Sequence, residues 1–142
     1  MPVLPKGRGG ELKWLNVLSA MEKGKSYTEL NTWKESRILV KTVYELLSNY
    51  PKEELYGISS QIKRSAVSVP SNIAEGVGRH TPKDSLRFLY ISRGSLYELE
   101  TQLYLSFDLK FISETELKTT LEQITIVNKL LAGFINHYKK KL

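Results

Sequence analysis

The chain has 142 residues, 41% hydrophobic and 25% charged, which is typical of one globular domain. It holds 21 Lys and Arg against 15 Asp and Glu, and a net charge of +6 favours an acidic partner such as nucleic acid or a membrane surface. The absence of Cys excludes disulfides and thiolate chemistry, and two His leave little for metal sites or general-base catalysis. No apolar run reaches the ~20 residues of a membrane span, so we expect a soluble, cytoplasmic protein with no membrane partner.

Residues 1–26 differ in composition from the rest of the chain. They hold two Pro and four of the nine Gly, and their five Lys and Arg against two Glu give a net charge of +3. We predict that this segment is a loosely structured N-terminal extension and that residues 27–142 form the folded domain.

Two long helices are predicted in the first half of the domain. The first runs from about Glu29 to Tyr50 and ends before Pro51, because the residue before a proline is disfavoured in the α region. Its apolar stripe is wide and follows the helical period. The stripe consists of Trp33, Arg37, Val40, Tyr44 and Leu47, with Leu39, Val43, Leu46 and Tyr50 alongside.

The second helix begins near Lys52 to Glu54 and carries an apolar seam from Leu55 to Val77. Pro70 lies inside this seam, which stays in phase on both sides. Since proline removes one backbone hydrogen bond and clashes with the preceding turn, we predict one helix that is kinked at Pro70.

Two further helices are predicted from their capping signals. Thr81 is a good N-cap with Pro82 at the first helical position, and Ser113 with Glu116 forms the pattern of a capping box. A Leu and Ser seam from Leu89 to Ser106 follows the first cap. Four such helices joined by short connections predict an all-α, antiparallel up-down-up-down four-helix bundle.

Charge is unevenly distributed along the bundle. Residues 63–93 hold six Lys or Arg and two acids, whereas residues 98–122 hold six acids and two Lys. The topology gathers much of the basic charge at one end, which suits a phosphate backbone. The alternative is that these cations only solvate helix ends and stabilise helix dipoles. The candidate nucleic-acid-binding residues are Lys63, Arg64, Arg79, Lys83, Arg87, Lys139, Lys140 and Lys141.

Tyr90, Tyr97 and Tyr104 recur every seven residues beside the Leu seam of the third helix. They either cover the edge of the core or form a self-association surface, because Tyr is enriched at interfaces. Arg93 is expected to make a partly buried pair or a contact between subunits. We therefore take Tyr90, Arg93, Tyr97 and Tyr104 as the candidate oligomer interface.

The chemistry of an enzyme is not evident in the sequence. The Glu-x-x-His pairs of a di-iron bundle are missing, because Val77 and Phe134 stand three residues before the two His. Ser59, Ser60 and Ser95 have no candidate base nearby in sequence, and a lone Gly-x-Gly at 76–78 is a weak signal for phosphate binding. We expect no enzymatic activity, no cofactor and no metal site.

Two stretches together resemble a known family. They are Val69-Pro70-Ser71-Asn72-Ile73-Ala74-Glu75-Gly76 and Phe88-Leu89-Tyr90-Ile91-Ser92-Arg93-Gly94-Ser95-Leu96, the second followed by Glu98-Leu99-Glu100. From Tyr27 onward the chain is similar to the four-helix bundle proteins, also called 23S rRNA-intervening-sequence proteins. It departs from them in its extension and at Ser92, where Ala is usual.

The resemblance implies more than the residues themselves indicate. Members of this family are cytoplasmic bacterial proteins, some encoded within 23S rRNA genes, and they form four-helix bundles that assemble into homopentamers. A family similar in fold, the accessory variability determinant of diversity-generating retroelements, binds nucleic acid through a basic surface. We therefore expect a non-enzymatic homo-oligomer that binds RNA or DNA, with a scaffold that binds only proteins as the alternative.

Overall fold

The computed structural model describes residues 26–142, which fold into four α-helices and two single-turn 3₁₀ helices, with no β-strand in that range. The predicted all-α fold of four helices is therefore confirmed, while the predicted extension lies outside the described residues except for Ser26. No helix within the described range is long and apolar enough to cross a membrane. The α-helices are α1 (Asn31–Leu47), α2 (Ile58–Val77), α3 (Pro82–Asp108) and α4 (Glu114–Lys139), and the 3₁₀ helices are Tyr27–Glu29 and Lys52–Glu54.

Helix α1 is shorter than predicted, and its core face is rotated from the expected stripe. It ends at Leu47, with Ser48 as its C-cap, three residues before the predicted end. Leu39 and Val43 are fully buried, whereas Tyr44 is 44% exposed and Arg37 is also exposed. The prediction that Arg37 and Tyr44 belong to the core stripe is wrong, because the buried arc of α1 is completed by polar side chains near its start: Thr32, Glu35 and Ser36.

Helix α2 continues through Pro70 as one element, as predicted. Side chains provide extra hydrogen bonds around the proline: Asn72 Nδ2 donates to the Ser68 carbonyl at 2.8 Å, and Ser92 Oγ of α3 donates to the Val69 carbonyl at 2.9 Å. The Ser92 bond is buried and joins α3 to the peptide that precedes Pro70. The Ser92 bond therefore ties α3 to α2 beside Pro70, which supplies no backbone N–H of its own.

Helices α2 and α3 are antiparallel and pack closely. Gly76 near the end of α2 approaches Ser85 near the start of α3, whereas Arg64 near the start of α2 pairs with Glu98 farther along α3. A Cβ at Gly76 would lie 3.0 Å from the Ser85 carbonyl oxygen and 3.2 Å from a methyl carbon of Leu89. The missing side chain of Gly76 therefore permits this approach, while Gly78 is the C-cap of α2.

The caps of α3 and α4 follow the sequence signals. Thr81 Oγ1 accepts from the Asp84 amide at 3.2 Å, and Ser113 and Glu116 form a reciprocal capping box. The end of α3 carries no sequence signal of this kind. Lys110 adopts a left-handed φ of 63°, and the Phe111 amide donates to the Ser106 carbonyl at 2.9 Å. This geometry is that of a Schellman motif, in which glycine is usual at the position of Lys110.

The four helices surround one hydrophobic core. Helix α1 packs against α2 and α4, α2 against α3, and α3 against α4. The predicted α3 seam from Leu89 to Ser106 is fully buried, and Leu131 and Phe134 of α4 are buried in the same core. The complete up-down-up-down order and the kink at Pro70 stay predictions.

Candidate nucleic-acid interface

Arg79 and Arg87 come together at the turn between α2 and α3, as predicted. Arg79 donates a hydrogen bond to the Glu75 carboxylate at 2.9 Å. Arg87 donates two hydrogen bonds to the Asp84 carboxylate, from Nε at 3.2 Å and from Nη2 at 3.1 Å. Both guanidinium groups also lie over the ring of Phe88, at 4.2 and 4.4 Å from its centroid. The two arginines thus share one aromatic ring, and each pairs with a carboxylate.

The acids at this turn reduce its net charge. Arg79 contacts Asp84 as well as Glu75, with 3.7 Å between Arg79 Nε and the Asp84 carboxylate. The turn presents Arg79, Lys83 and Arg87. Among the ion pairs of the described residues, Lys83 is the one of these three that pairs with no carboxylate. Each guanidinium has five N–H donors, so both arginines retain donors for a phosphate. Binding here would nonetheless compete with two carboxylates.

The three C-terminal lysines lie at the end of α4. Lys139 is the last residue of the helix, Lys140 is its C-cap and all three are exposed. Helices α3 and α4 pack together, have 27 and 26 residues and are joined by residues 109–113. Because a short connection between packed helices of similar length joins antiparallel neighbours, we expect Lys139, Lys140 and Lys141 to lie at the same end of the bundle as the α2–α3 turn.

Lys63 and Arg64 do not join this end. They lie in the first third of α2, with Arg64 about 22 Å from Arg79 along the helix axis. Arg64 pairs with Glu98 of α3 at 3.6 Å, and Lys63 Nζ lies 5.5 Å from the centroid of the Tyr44 ring. The structure therefore divides the predicted nucleic-acid-binding residues between two places.

The exposed side of α1 carries basic residues that were not predicted to belong to the site. Lys34, Arg37 and Lys41 line a groove of about 470 Å³ together with Trp33 and Ile38. Arg37 was assigned to the apolar stripe because its spacing from Trp33 is four residues, which suits either a core face or an exposed cation–π pair. The spacing of Lys34, Arg37 and Lys41 on one helical face was the signal that could have identified them.

The candidate oligomer interface lies on the outer side of α3. Tyr90, Tyr97 and Tyr104 are 38%, 52% and 48% exposed, and the guanidinium of Arg93 lies 5.0 Å from the centroid of the Tyr90 ring. Arg93 makes none of the ion pairs recorded within residues 26–142, so its predicted buried pair is not found there. Gly94 between the tyrosines has open space around it, since a Cβ there would meet no atom within 4 Å.

Glu35 and Tyr50 are buried ionisable groups outside the α2–α3 turn. Burial raises the pKa of the Glu35 carboxyl above its ordinary value, and it raises the pKa of the Tyr50 hydroxyl as well. Glu35 lies on the inner face of α1, and Tyr50 packs against Phe111 with 5.4 Å between ring centroids. Within residues 26–142, no three His, Cys, Asp or Glu side chains are grouped as metal ligands would be.

The family model described as 23S rRNA-intervening sequence protein matches residues 28–133. The chain belongs to this family. The match covers α1, α2, α3 and most of α4, and it includes both motifs that carried the resemblance. Membership in the 23S rRNA-intervening sequence protein family was therefore predicted correctly.

A solved structure agrees with this membership. The chain is similar to a crystal structure from Bacteroides thetaiotaomicron, described as a protein of unknown function from the S23 ribosomal protein family, with 25% identity and a TM-score of 0.66. The similarity covers 73% of this chain and 97% of that one. No curated protein matches the sequence. The family match and the solved structure thus agree on the helical fold of residues 28–133.

Proposed function

We propose that this protein is a non-enzymatic, self-associating helical bundle that binds RNA or DNA through its basic surface. The observation that carries the proposal is the grouping of Arg79 and Arg87 on one turn, where a shared aromatic ring and two carboxylates hold them in place. Arginine is well suited to phosphate because its planar fork presents several donors at once. Contacts of this kind position a backbone without reading its sequence.

Self-association would strengthen such binding. The exposed tyrosines of α3 are large amphipathic side chains of a type that is enriched at interfaces. A homopentamer, as the family resemblance implies, would repeat each basic turn five times. Several weak phosphate sites on one particle bind far more tightly than one site does. We expect the protein to act in the bacterial cytoplasm.

Fluorescence anisotropy with labelled RNA and DNA over a range of salt concentrations tests the nucleic-acid proposal. Affinity should fall steeply as salt rises, because each phosphate contact releases a counterion. The variant Lys83→Glu/Arg87→Glu should weaken binding and reduce the salt slope, whereas Lys118→Glu/Lys129→Glu, an equal charge change on exposed residues of α4, should alter both less. Absence of binding at ~50 mM salt would refute the proposal.

Light scattering tests the self-association proposal independently. The wild-type protein should form a single oligomer at micromolar concentration, and Tyr97→Lys should dissociate it while circular dichroism stays helical. A monomeric wild-type protein would refute this part. A scaffold that binds only proteins is the second candidate, and the exposed tyrosines favour it. An intact oligomer that binds no nucleic acid at low salt would support that candidate.

A further inference from the structure

The exposed side of α1 combines aromatic and basic side chains in one groove. Trp33 and Ile38 form part of its wall, and Lys34, Arg37 and Lys41 supply its charge. The Arg37 guanidinium lies over the indole of Trp33, 5.5 Å from the ring centroid. Because Arg37 is exposed, its guanidinium extends the aromatic surface of Trp33 toward solvent.

A second pair of the same kind lies farther along the helix. Lys63 of α2 lies over the ring of Tyr44, with 5.5 Å between Nζ and the ring centroid. Trp33 and Tyr44 are separated by eleven residues, which corresponds to about 16 Å along α1. Lys41 lies on the same helical face between the two pairs. Rings and cations therefore alternate along α1 as a strip that begins in the groove and continues past it to Tyr44 and Lys63.

The cations of this strip differ from the arginines of the α2–α3 turn in one physical respect. Among the described residues, no ion pair involves Lys34, Arg37, Lys41 or Lys63. Helix α1 has two acidic residues. Glu35 is buried on the face opposite the strip, and Glu45 is exposed beside the strip. A phosphate chain would therefore meet positive charge here without first displacing a carboxylate.

We propose that this α1 strip, Trp33, Lys34, Arg37, Lys41, Tyr44 and Lys63, binds single-stranded nucleic acid. This inference takes only the ligand class, nucleic acid, from the proposed function. It places the binding site on a different face of the bundle. Aromatic rings and arginine planes that alternate with cations suit unpaired bases, which can stack while their phosphates contact lysine. A duplex keeps its bases stacked inside and would use only the charge.

Charge also favours this ligand over the chain's own N-terminal segment as the occupant of the strip. Residues 1–25 carry five Lys and Arg against two Glu. Because like charges repel, a positively charged strip attracts a polyanion more strongly than a segment of this composition. A second copy of the chain, bound through its acidic residues, is the other occupant that charge allows. Variants of the strip would then change the oligomeric state.

The fluorescence of Trp33 gives a direct test. The chain has two Trp, so Trp14→Phe leaves Trp33 as the single reporter. A labelled oligothymidylate should bind and quench Trp33, because its bases stack beside the ring. Heparin, a polyanion without bases, should displace the oligonucleotide without quenching. Binding of the oligonucleotide by anisotropy with unchanged Trp33 emission would overturn the inference.

Charge-reversal variants separate this inference from the proposed function. Lys34→Glu/Lys41→Glu should reduce affinity for oligothymidylate at least about tenfold at low salt, while Lys118→Glu/Lys129→Glu should change it much less. If only Lys83→Glu/Arg87→Glu abolishes binding, the inference is wrong and the proposed turn site stands. If only the α1 variant does, the inference stands and the turn site is wrong. If the α1 variant alters the oligomer in light scattering and leaves affinity unchanged, the strip contacts a second copy and the inference is overturned.

Discussion

The glycines at 76 and 94 allow one prediction to be made with a built-in control, because both lie within helices and differ in what surrounds them. Gly76 is buried between α2 and α3, whereas Gly94 is exposed on the outer side of α3. The perturbation is the same at both sites, a single methyl group added by Gly76→Ala or Gly94→Ala.

The expected free energies follow from the space around each Cβ. Alanine is favoured over glycine in a helix interior by about 1 kcal/mol. At Gly94 the methyl group meets no atom within 4 Å, so the variant keeps this gain. At Gly76 it lies 3.0 Å from the Ser85 carbonyl oxygen, and forcing atoms into a packed core costs about 1–3 kcal/mol. Gly76→Ala should therefore be less stable than Gly94→Ala by about 1–3 kcal/mol.

Urea denaturation followed by far-ultraviolet circular dichroism measures this difference. It should be run at two protein concentrations, because self-association makes the apparent stability depend on concentration. Gly94→Ala should unfold at higher urea than wild type, and Gly76→Ala at a concentration equal to or lower than wild type. If Gly76→Ala were as stable as Gly94→Ala, the close approach of α2 to α3 at Gly76 would be refuted.

Three further substitutions have defined outcomes. Ser113→Ala removes the capping box of α4 and should lower the free energy of unfolding by about 1 kcal/mol. Lys110→Gly relieves the left-handed φ of 63° and should raise the free energy of unfolding by about 1 kcal/mol. Burial raises the pKa of Glu35 in the folded state, so the contribution of Glu35 to stability is greatest below the ordinary carboxyl pKa and is lost as pH rises through its folded-state pKa. Glu35→Gln should therefore stabilise the protein at pH 7 relative to wild type, and this gain should shrink toward pH 4.

Thermal denaturation measures all three. Ser113→Thr retains a capping hydroxyl and is the control for the loss of the cap. Lys110→Ala is the control for position 110, since it removes the charge and keeps the strained backbone. A gain for Glu35→Gln that is equal at pH 4 and pH 7 would contradict the role of burial at Glu35.

The helices and their caps could be predicted from local sequence. Thr81, Pro82, Ser113 and Glu116 act within one helical turn, so their effect depends on neighbours in the chain. The regular apolar spacing of α3 also identified its buried face, from Leu89 to Ser106. In α1 the same reasoning chose the wrong stripe, because its core face includes Glu35 and other polar side chains whose burial no periodicity of apolar residues reports.

The candidate site was predicted only in part. Arg79 and Arg87 were expected to share a place because one short turn separates their helices, and they do. Lys63 was grouped with them by charge along the chain, yet its nearest aromatic partner is Tyr44 of α1. A count of charges along the chain carries no information about which helix face turns toward which neighbour.

The sequence by itself determined the family, the helical fold, the starts of α3 and α4 and the end of α2, since these depend on periodicity, capping and motifs within short stretches of chain. Only the tertiary structure decided which cations contact a neighbouring helix. Arg64 of α2 pairs with Glu98 of α3, and Lys63 of α2 lies over the Tyr44 ring of α1. The pairs of Arg79 with Glu75 and of Arg87 with Asp84 lie within one helical turn and follow from spacing along the chain. Contacts between helices depend on distances of a few ångströms between side chains, which are fixed only when the helices pack.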